Sequence, residues 1–530
     1  MKKDNKTQLN PSFNNMTMEE VVSFLLAENE KLRQHNLVLE EAIKMLSNKK
    51  YGKSSEKTKD VLKGQLQLQF DEVEELAQEE VEIEDESTEI SEIVKVVKKV
   101  GRKKPSQSNP NLEVEEINYP MDDLLDLGYK LIGEKTIEKY RHQPARVWIE
   151  RHIYPVYEKE LADGTSDVIS KYQGHQFLAK SPVSSELVAS IMNDKYAKAL
   201  PLYRIEQAFE NIGADISRQT MSNWLLKASD KYLSPIYDQM KSDLITRDII
   251  HADETRVQVL NHQDGSDNIQ STMWLYRSGH IDDNVIIYDY QPGRKQEYPE
   301  AFLDGFAGYL QSDGYQVYKN ITNVTQVGCL AHGRRKFTDA LKTMGKKTEG
   351  AKASAQILKM IAKIFTLDRK TENLSLDDKQ KYRIYHLTPL FDELYNELDE
   401  ASKKFLPKSA VGKAITYNLN QFESFKNVLL DPRLELTNNR AERAIKPFVI
   451  GRKNWLFSNT TKGAKQSSIM YSVIQSAKEN GLKVEPYLTF VFDTLSELPC
   501  EEWDEETIKS LMPHGRDLPN RLFIKGKTRK

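Results

Sequence analysis

The sequence contains very little cysteine, with only Cys329 and Cys500 among 530 residues. Two cysteines exclude a disulfide framework or a zinc module built from several cysteines, and they favour a reducing, cytoplasmic location. The sequence also lacks any run of the roughly 18 apolar residues that a membrane span requires. Its polar N-terminus leads into no apolar signal segment. Membrane and secreted proteins are therefore disfavoured, and no membrane partner is expected.

The chain has little net charge, −3 at pH 7, but the charges are unevenly placed. Twelve acidic residues and no Lys or Arg lie between Asp71 and Glu92, so the rest of the chain carries +9. A basic arm follows directly, formed by Lys95, Lys98, Lys99, Arg102, Lys103 and Lys104. Like-charge blocks often act as interaction tails. The region is therefore either a solvated linker or a DNA-binding arm. In the second case the acidic segment competes with DNA for the basic arm.

A heptad pattern runs from Val22 to Leu46. Its core positions are Leu25, Leu32, Leu39 and Leu46 at d, and Val22, Asn29, Asn36 and Ile43 at a. Leu at d with β-branched residues at a favours two parallel helices, and Asn at a fixes their register. The pattern predicts dimerisation through a coiled coil. An intramolecular amphipathic helix is the alternative, since the segment is short.

The middle of the chain divides into a β-rich part and a helical part. Residues 112–184 predict a small β-rich unit, with an alternating stretch from Arg146 to Tyr157 and a turn at Gly164. Residues 185–240 predict helices that include a helix-turn-helix, with its turn at Gly213. Three side chains at the start of the second helix could contact base edges or phosphates: Arg218, Gln219 and Asn223. An ordinary helical hairpin with Ser217 as N-cap is the alternative.

Beyond residue 244 the pattern changes to strands mixed with helices. The predicted strands are Ile249–Ala252, Met273–Tyr276, Val285–Tyr288, Tyr309–Ser312 and Val324–Leu330, with a helix near Tyr298–Phe306. Hairpin strands first, followed by strands that alternate with helices, indicate a mixed sheet flanked by helices.

Three acidic residues accompany these elements. Asp253 follows the first strand, and Asp313 begins an Asp-Gly pair after a later strand. Glu442 lies among basic residues at the start of a helix that Asn438 or Asn439 could cap. Taken singly, the two aspartates could be turn residues, and Glu442 could form an i, i+4 ion pair with Lys446.

Taken together, three carboxylates suit Mg²⁺, which prefers oxygen ligands and leaves other positions to water and phosphate. Two such ions clamp the attacking and leaving oxygens of a phosphoryl transfer. No nucleophile elbow, P-loop or dinucleotide-binding motif is present in the sequence.

At these residues the chain resembles the DDE transposases of the insertion-sequence 66 group. The matching segments are the zipper with Tyr51–Lys57, His251–Thr255, Ser312–Tyr315, Cys329–Phe337, Asn438–Arg443 and Ile450–Trp455, on to Gly463. The resemblance implies an RNase H-like core with Asp253, Asp313 and Glu442 as catalytic and metal-binding residues. It implies two Mg²⁺ or Mn²⁺ ions and a helical insertion between Asp313 and Glu442.

The resemblance also implies what the protein acts on and with. The expected activity is cleavage of DNA at transposon ends and joining of the freed 3′-hydroxyls to target DNA. The expected partners are double-stranded DNA (terminal repeats and target), a second copy in a homodimer or higher synaptic oligomer, and accessory transposition proteins. A cytoplasmic, nucleoid-associated location follows. The candidate DNA contacts near the active site are Arg334, Arg335, Lys336, Arg440, Arg443, Lys446, Arg452, Lys453 and Trp455, where Trp455 stacks on a base or fills core.

One departure concerns zinc. The family usually carries a zinc module with paired cysteines at the position of residues 112–180, where this chain has no cysteine. No zinc is therefore expected. Cys329 and His332 have a ligand-like spacing, but two ligands make half a site, so both are interpreted as packing and orientation residues near the active site.

The fold class is thus multidomain α+β. The predicted parts are a coiled coil (1–60), an acidic then basic linker (61–111), the β-rich unit (112–184), the helix-turn-helix domain (185–240), the first part of the core (241–344), the helical insertion (345–430), the second part of the core (431–500) and a C-terminal tail (501–530). Two other functions stay open: a DNA-binding regulator without catalysis, and a glycosidase that uses Asp253 and Asp313 as acid and base. The glycosidase gives no role to the basic residues around Glu442.

Overall fold

The computed structural model of the chain describes residues 147–151, 156–160, 166–170, 177–179, 181–261, 270–345 and 347–525, and separate positions between 17 and 36. Among those positions, Val22, Asn29, Leu32 and Asn36 are helical and exposed, so no described part of the chain covers these core positions of the heptads. The coiled coil itself stays a prediction. The predictions on Leu25, Leu39, Leu46, Lys103, Lys104 and the acidic segment lie outside the described residues.

Strands and helices follow one another in a mixed order. The strands are β1 (Val156–Glu160), β2 (Ser166–Ser170), β3 (Ile249–Asn261), β4 (Gln270–Ser278), β5 (Ile286–Gln291), β6 (Gly308–Ser312), β7 (Val324–Gly328) and β8 (Ser458–Thr460). The helices are α1 (Ser185–Met192), α2 (Leu202–Asn211), α3 (Arg218–Ala228), α4 (Ser234–Ile245), α5 (Glu297–Phe302), α6 (Gln316–Lys319), α7 (Leu330–Thr343), α8 (Glu349–Arg369), α9 (Leu376–Lys404), α10 (Ala410–Lys426), α11 (Asn439–Trp455), α12 (Thr461–Glu479), α13 (Val484–Glu497) and α14 (Glu505–Leu511). Short π-helical turns follow α1 and α3.

The small β-rich unit contains an antiparallel hairpin, β1–β2, that pairs Val156 with Ser170. Within the alternating stretch from Arg146 to Tyr157, residues 147–151 have no regular structure, and Val156 begins β1. Trp148 is 65% exposed and Ile149 is 92% exposed. Alternation stabilises a strand when one face is buried, and here both side chains face solvent.

The helical region contains α2, a turn and α3, the order that the helix-turn-helix pattern predicts. Gly213 has a φ of +81°, which glycine adopts at no steric cost. Ser217 caps α3, because its hydroxyl accepts a hydrogen bond from the Thr220 N–H at 3.2 Å.

A six-stranded mixed sheet forms the centre of the molecule: five strands follow the order β5-β4-β3-β6-β7, and β8 pairs with the C-terminal end of β3. β3, β4 and β5 are antiparallel, whereas β6 and β7 run parallel to β3. This arrangement confirms the predicted mixed sheet flanked by helices. Two strand ends differ from the prediction: β3 continues for nine residues beyond Ala252, and Leu330 begins α7 instead of ending β7.

Two hydrophobic cores hold the sheet between helices. The first joins α1–α4, β3–β5 and α11–α14, and it includes the fully buried Leu275 and Ile287. Burying such a side chain contributes about 1.5–3 kcal/mol. The second core joins β7 and α7 to α8, α9 and α10. The predicted helical insertion is therefore a packed unit beside the parallel edge of the sheet.

The segment after residue 500 is packed rather than a free tail. Ile508 and Leu511 of α14, with Leu522, are buried in the first core. Tyr487 of α13 donates a 2.7 Å hydrogen bond to the carbonyl of Leu511. Among the helices that the structure describes, none has the length and apolar character needed to span a membrane.

Candidate active site

Asp253 lies inside β3, at the point where the pairing with β6 ends. β6 pairs Ile249 with Tyr309 and His251 with Gln311. Two residues further in the same register, Asp253 is level with Asp313, which directly follows β6. Paired residues of parallel strands point to the same face of a sheet. The sequence placed Asp253 at the end of a strand, whereas the structure places it where the parallel neighbour ends and the antiparallel hairpin with β4 continues.

Asp313 forms a tight turn against the helical insertion. Its Oδ1 accepts a 2.9 Å hydrogen bond from the Tyr315 N–H, and Gly314 has a φ of +84°. A Cβ at Gly314 would lie 2.8 Å from the Gln421 side chain of α10. The Tyr417 hydroxyl, also on α10, donates to the Asp313 carbonyl at 2.8 Å. The Asp-Gly pair thus makes the predicted turn and also allows the insertion to approach it closely.

Glu442 lies in the first turn of α11, and Asn438 fixes the start of this helix. Asn438 occupies the predicted N-cap position, but its side chain makes no capping hydrogen bond. Its buried amide instead donates to the Ala252 carbonyl at 2.8 Å. Its Oδ1 lies 3.2 Å from Nδ1 of His251, whose pKa burial lowers to about 4. A neutral ring therefore holds the contact between β3 and α11 at neutral pH.

The segment before Asn438 is tied to the other acid-bearing elements. Gln311 of β6 donates to the Thr437 carbonyl at 3.1 Å and also to the Glu435 carbonyl. The Leu330 N–H, at the start of α7, donates to the Leu436 carbonyl at 2.9 Å. Elements that are far apart in the sequence are therefore fixed to one another by backbone carbonyls of a single segment.

Negative charge accumulates around Asp253. Burial raises the pKa of Asp253 well above its usual range, and the carboxylates of Glu254, Asp313 and Glu442 raise it further. A 2.8 Å hydrogen bond from the Glu254 N–H opposes this shift. Like charges disfavour ionisation of their neighbours, and a bound cation would reverse that balance. The three predicted acids are thus close enough to interact, and together they favour a cation.

Glu254 is an acid that the sequence analysis did not single out. Its carboxylate pairs with Arg294 and accepts a 2.8 Å hydrogen bond from the Tyr318 hydroxyl. Arg294 also lies over the Tyr315 ring, 3.9 Å from its centre. Burial raises the pKa of Glu254, and Arg294 and Tyr318 oppose that shift. The cluster connects β3 to the turn of Asp313. Adjacent strand residues point to opposite faces of a sheet. The alternation along β3 therefore indicates that Glu254 and Asp253 have different roles.

Cys329 and His332 lie beside Glu442, as their interpretation as orientation residues requires. Nδ1 of His332 is 3.7 Å from Oε1 of Glu442. Burial lowers the pKa of His332, against the opposite effect of Glu442 and Asp313. The buried Cys329 Sγ accepts a 3.2 Å hydrogen bond from the Asn438 N–H.

The predicted basic residues fall into two groups. Arg335, Lys336, Arg443 and Lys453 are exposed, and Lys446 is partly exposed. The other three are engaged with the protein: Arg334 is buried, Arg440 pairs with Glu435 at 3.0 Å, and Arg452 donates to the Thr255 hydroxyl at 3.1 Å. Trp455 packs against Phe448, with ring centres 5.5 Å apart. The contact with Phe448 favours the interpretation that Trp455 fills core. Among the predicted basic residues, the exposed ones are the cations that DNA could reach.

The three candidate side chains of α3 share one exposed surface. Arg218, Gln219 and Asn223 are all exposed, and the Gln219 amide donates to Asn223 at 3.3 Å. The opposite side of α3, with Met221 and Leu225, is buried. The helix therefore presents polar side chains at its N-terminal end, as a helix that reads a DNA groove does.

Two family models match the sequence. The model described as "Transposase IS66 family" matches residues 180–466, just over half of the chain, and includes Asp253, Asp313 and Glu442. A second model, described as "Transposase C of IS166 homeodomain", matches residues 38–117, which lie outside the described residues.

Three proteins of Sinorhizobium fredii are similar to the chain over most of its length. The protein y4jD is 27% identical over 72% of this chain and 75% of its own length. The protein y4hP is 27% identical over 87% of this chain and 86% of its own length. The protein y4qI is 28% identical over 76% of this chain and 74% of its own length. Each of the three is named as an uncharacterized protein.

Proposed function

Because the chain belongs to the IS66 family of transposases, we propose that it is a DNA transposase with Asp253, Asp313 and Glu442 as its catalytic residues. The observation that carries the proposal is geometric: the register of β3 with β6 makes Asp253 level with Asp313, and the Asn438 hydrogen bond holds the start of the Glu442 helix against the residue before Asp253. Carboxylates that are 60 and 189 residues away in the sequence interact with Asp253. The strand order β5-β4-β3-β6-β7 supports an RNase H-like core.

The donor set fits divalent metal ions. Asp253, Asp313 and Glu442 would hold Mg²⁺ or Mn²⁺ through hard carboxylate oxygens, and two ions are the number that strand transfer requires in a two-metal mechanism. When bound, the ions would activate water or a 3′-hydroxyl and stabilise the departing oxygen. The negative charge around Asp253 would attract cations to the metal-free site.

The protein's own groups would hold the acids in place and bind the DNA backbone. Asn438 and Gln311 fix α11 against β3 and β6. The Glu254–Arg294 pair fixes β3 against the turn of Asp313. Exposed cations near the site, Arg335, Lys336, Arg443 and Lys453, would contact phosphates. Arg334, Arg440 and Arg452, which are engaged with the protein, would reach DNA only by exchanging those contacts.

Other parts of the chain would bring DNA ends together. Arg218, Gln219 and Asn223 would bind terminal repeats, together with the basic arm that contains Lys103 and Lys104. The N-terminal heptads would pair two copies, since Val22 and Leu32 are exposed in the single chain. Target DNA, a synaptic oligomer and accessory proteins stay predictions, as does a cytoplasmic, nucleoid-associated location.

A strand-transfer assay tests the function. Full-length protein is incubated with DNA from the flanks of its source locus, a target plasmid and Mg²⁺ or Mn²⁺. We expect joined products from the natural sequence and none from Asp253→Asn or Glu442→Gln, while all three proteins bind end DNA in gel shifts. Asp304→Asn, which changes an exposed acid, is the matched control and keeps activity. Undiminished transfer by Asp253→Asn or Glu442→Gln would contradict the catalytic assignment. End binding with no metal-dependent reaction in any protein would favour a DNA-binding regulator.

A further inference from the structure

A group of three different ligand types lies at the start of α7. The Sγ of Cys329, a ring nitrogen of His332 and a carboxylate oxygen of Glu442 all lie within 4.8 Å of one another. Cys329 and His332 come from the junction of β7 and α7, and Glu442 comes from α11. Cys329 and His332 are close in the sequence and supply two ligands. The fold adds Glu442, more than a hundred residues later in the chain, as the third.

The two polar atoms that face each other in this group have no hydrogen-bond partner among the described residues. Nδ1 of His332 and Oε1 of Glu442 are both buried and unpaired, although they lie only 3.7 Å apart. Leaving a buried polar atom unsatisfied is costly, because it has lost its hydrogen bonds to water and gained none in the protein. A shared cation would satisfy the ring nitrogen and the carboxylate oxygen at once.

The sulfur of Cys329 is already placed as a hydrogen-bond acceptor. It accepts the Asn438 N–H at 3.2 Å, and hydrogen bonds of this kind stabilise the charged form of a group. A metal ion bound there would displace the thiol proton to solvent.

We propose that Cys329, His332 and Glu442 form a binding site for Zn²⁺, which differs in ligand type from the all-oxygen site of Asp253, Asp313 and Glu442 and shares Glu442 with it. Sulfur, imidazole and carboxylate are the ligands that zinc accepts, whereas Mg²⁺ prefers oxygen alone. Tetrahedral zinc with bonds of about 2.0–2.3 Å holds its ligand atoms about 3.3–3.7 Å apart. The observed separations therefore need shifts of only about 1 Å. Three protein ligands leave the fourth position open.

The site has a regulatory consequence, which rests on the proposed function. Glu442 serves both ion types, so zinc bound to its Oε1 competes with Mg²⁺ for the same carboxylate. Zinc would then inhibit strand transfer, and the inhibition would weaken as Mg²⁺ is raised. The binding of zinc itself does not depend on the chain being a transposase.

Cobalt substitution tests the site directly. Full-length reduced protein is titrated with Co²⁺, and the absorption spectrum is followed. A sulfur-to-cobalt charge-transfer band reports thiolate coordination, and the intensity of the visible d–d bands reports tetrahedral geometry. The whole chain has only two cysteines, so such a band comes from Cys329 or from the exposed Cys500. We expect the charge-transfer band to saturate at one Co²⁺ per chain, and Zn²⁺ should displace this ion with loss of the band.

Variants separate the site from other metal sites in the protein. Cys329→Ser should lose the charge-transfer band, and Cys500→Ser should keep it. His332→Ala should weaken Zn²⁺ binding by more than about tenfold, since even indirect supports of a metal site cost 10- to 100-fold. Asp253→Asn should keep the band while it loses strand transfer, which distinguishes failure of this proposal from failure of the proposed function. Circular dichroism checks the fold of each variant.

Two outcomes would overturn the proposal. The first is the absence of a charge-transfer band in the natural sequence, a result that does not depend on whether Cys329→Ser folds. The second is a band that persists in folded Cys329→Ser and disappears in Cys500→Ser.

Discussion

The side-chain amide of Asn438 donates a 2.8 Å hydrogen bond to the backbone carbonyl of Ala252. Ala252 directly precedes Asp253, and Asn438 lies one helical turn before Glu442. A single buried side chain thus connects the backbones that carry two of the three proposed catalytic acids. The distance between those acids is therefore set by packing inside the protein and does not require DNA.

Asn438→Ala should lower the free energy of unfolding by about 1–3 kcal/mol, because it leaves the buried Ala252 carbonyl without its donor. Strand transfer should fall further than stability explains, since α11 loses its connection to β3. Urea denaturation measures the first effect. Asn439→Ala is the control, because Asn439 makes no side-chain hydrogen bond with the described residues, and a change within about 0.5 kcal/mol is expected. Equal effects of the two substitutions would refute the role of Asn438.

Arg294→Ala should destabilise the fold by about 1–3 kcal/mol, because the carboxylate of Glu254, only 4% exposed, loses its charged partner. The exposure of Arg294 itself keeps the effect below that of a fully buried pair. Strand transfer should also fall, since Arg294 connects β3 to the turn of Asp313. Lys295→Ala, next in the chain, changes a pair that is exposed on both sides and should alter stability by less than about 1 kcal/mol. Thermal denaturation measures the melting temperatures of both variants. Similar melting temperatures for Arg294→Ala and Lys295→Ala would contradict the account.

The metal-free protein should lose stability through Asp253 as the pH rises. The unfolded carboxyl has a pKa of about 4, and the folded one has a higher pKa. Between these values the folded state binds the proton more strongly, so the contribution to the free energy of unfolding falls with increasing pH. In EDTA, Asp253→Asn should therefore melt above the natural sequence, by a margin that grows with pH. Mg²⁺ should remove that margin. A margin that does not depend on pH or metal would count against the account.

Arg218→Ala should weaken the binding of end DNA and reduce the slope of log affinity against log salt by about 1, as the loss of one phosphate contact does. Gln219→Ala should lower affinity for end DNA more than for unrelated DNA, because an amide contact to a base edge carries sequence information. Fluorescence anisotropy at several salt concentrations measures both quantities. Lys227→Ala, in the last turn of the same helix, is the control. An unchanged slope for Arg218→Ala would contradict the placement of α3 at the DNA interface.

The local patterns of the sequence predicted much of the fold. The strands β3 to β7 were all found from apolar runs and begin within two residues of their predicted starts, except β4, which begins three residues earlier. The Asp-Gly turn at Asp313 and the Ser217 cap were likewise local features with a local cause. The length of β3 was readable but missed, since Val257 and Val259 are buried and alternate with the exposed Arg256 and Gln258.

The remaining features are contacts between distant parts of the chain. Asn438 looked like a helix cap, and the proximity of the Ala252 carbonyl, 186 residues away, changed its role. The pairing of Glu254 with Arg294 depends on the antiparallel hairpin and on the loop after β5. The approach of Glu442 to Cys329 and His332 depends on how α11 crosses the sheet. None of these contacts leaves a periodic pattern in the sequence, so only the assembled fold can reveal them.

The central claim is that Asp253 binds the catalytic metal directly, and a metal-specificity switch tests it most directly. Asp253→Cys replaces a hard oxygen ligand with a soft sulfur ligand, which Mg²⁺ rejects and Mn²⁺ accepts more readily. Strand transfer by this variant should be abolished in Mg²⁺ and partly restored in Mn²⁺, whereas the natural sequence should work with both ions. Full activity of Asp253→Cys in Mg²⁺, or an equal loss of activity in the two metals, would contradict the account.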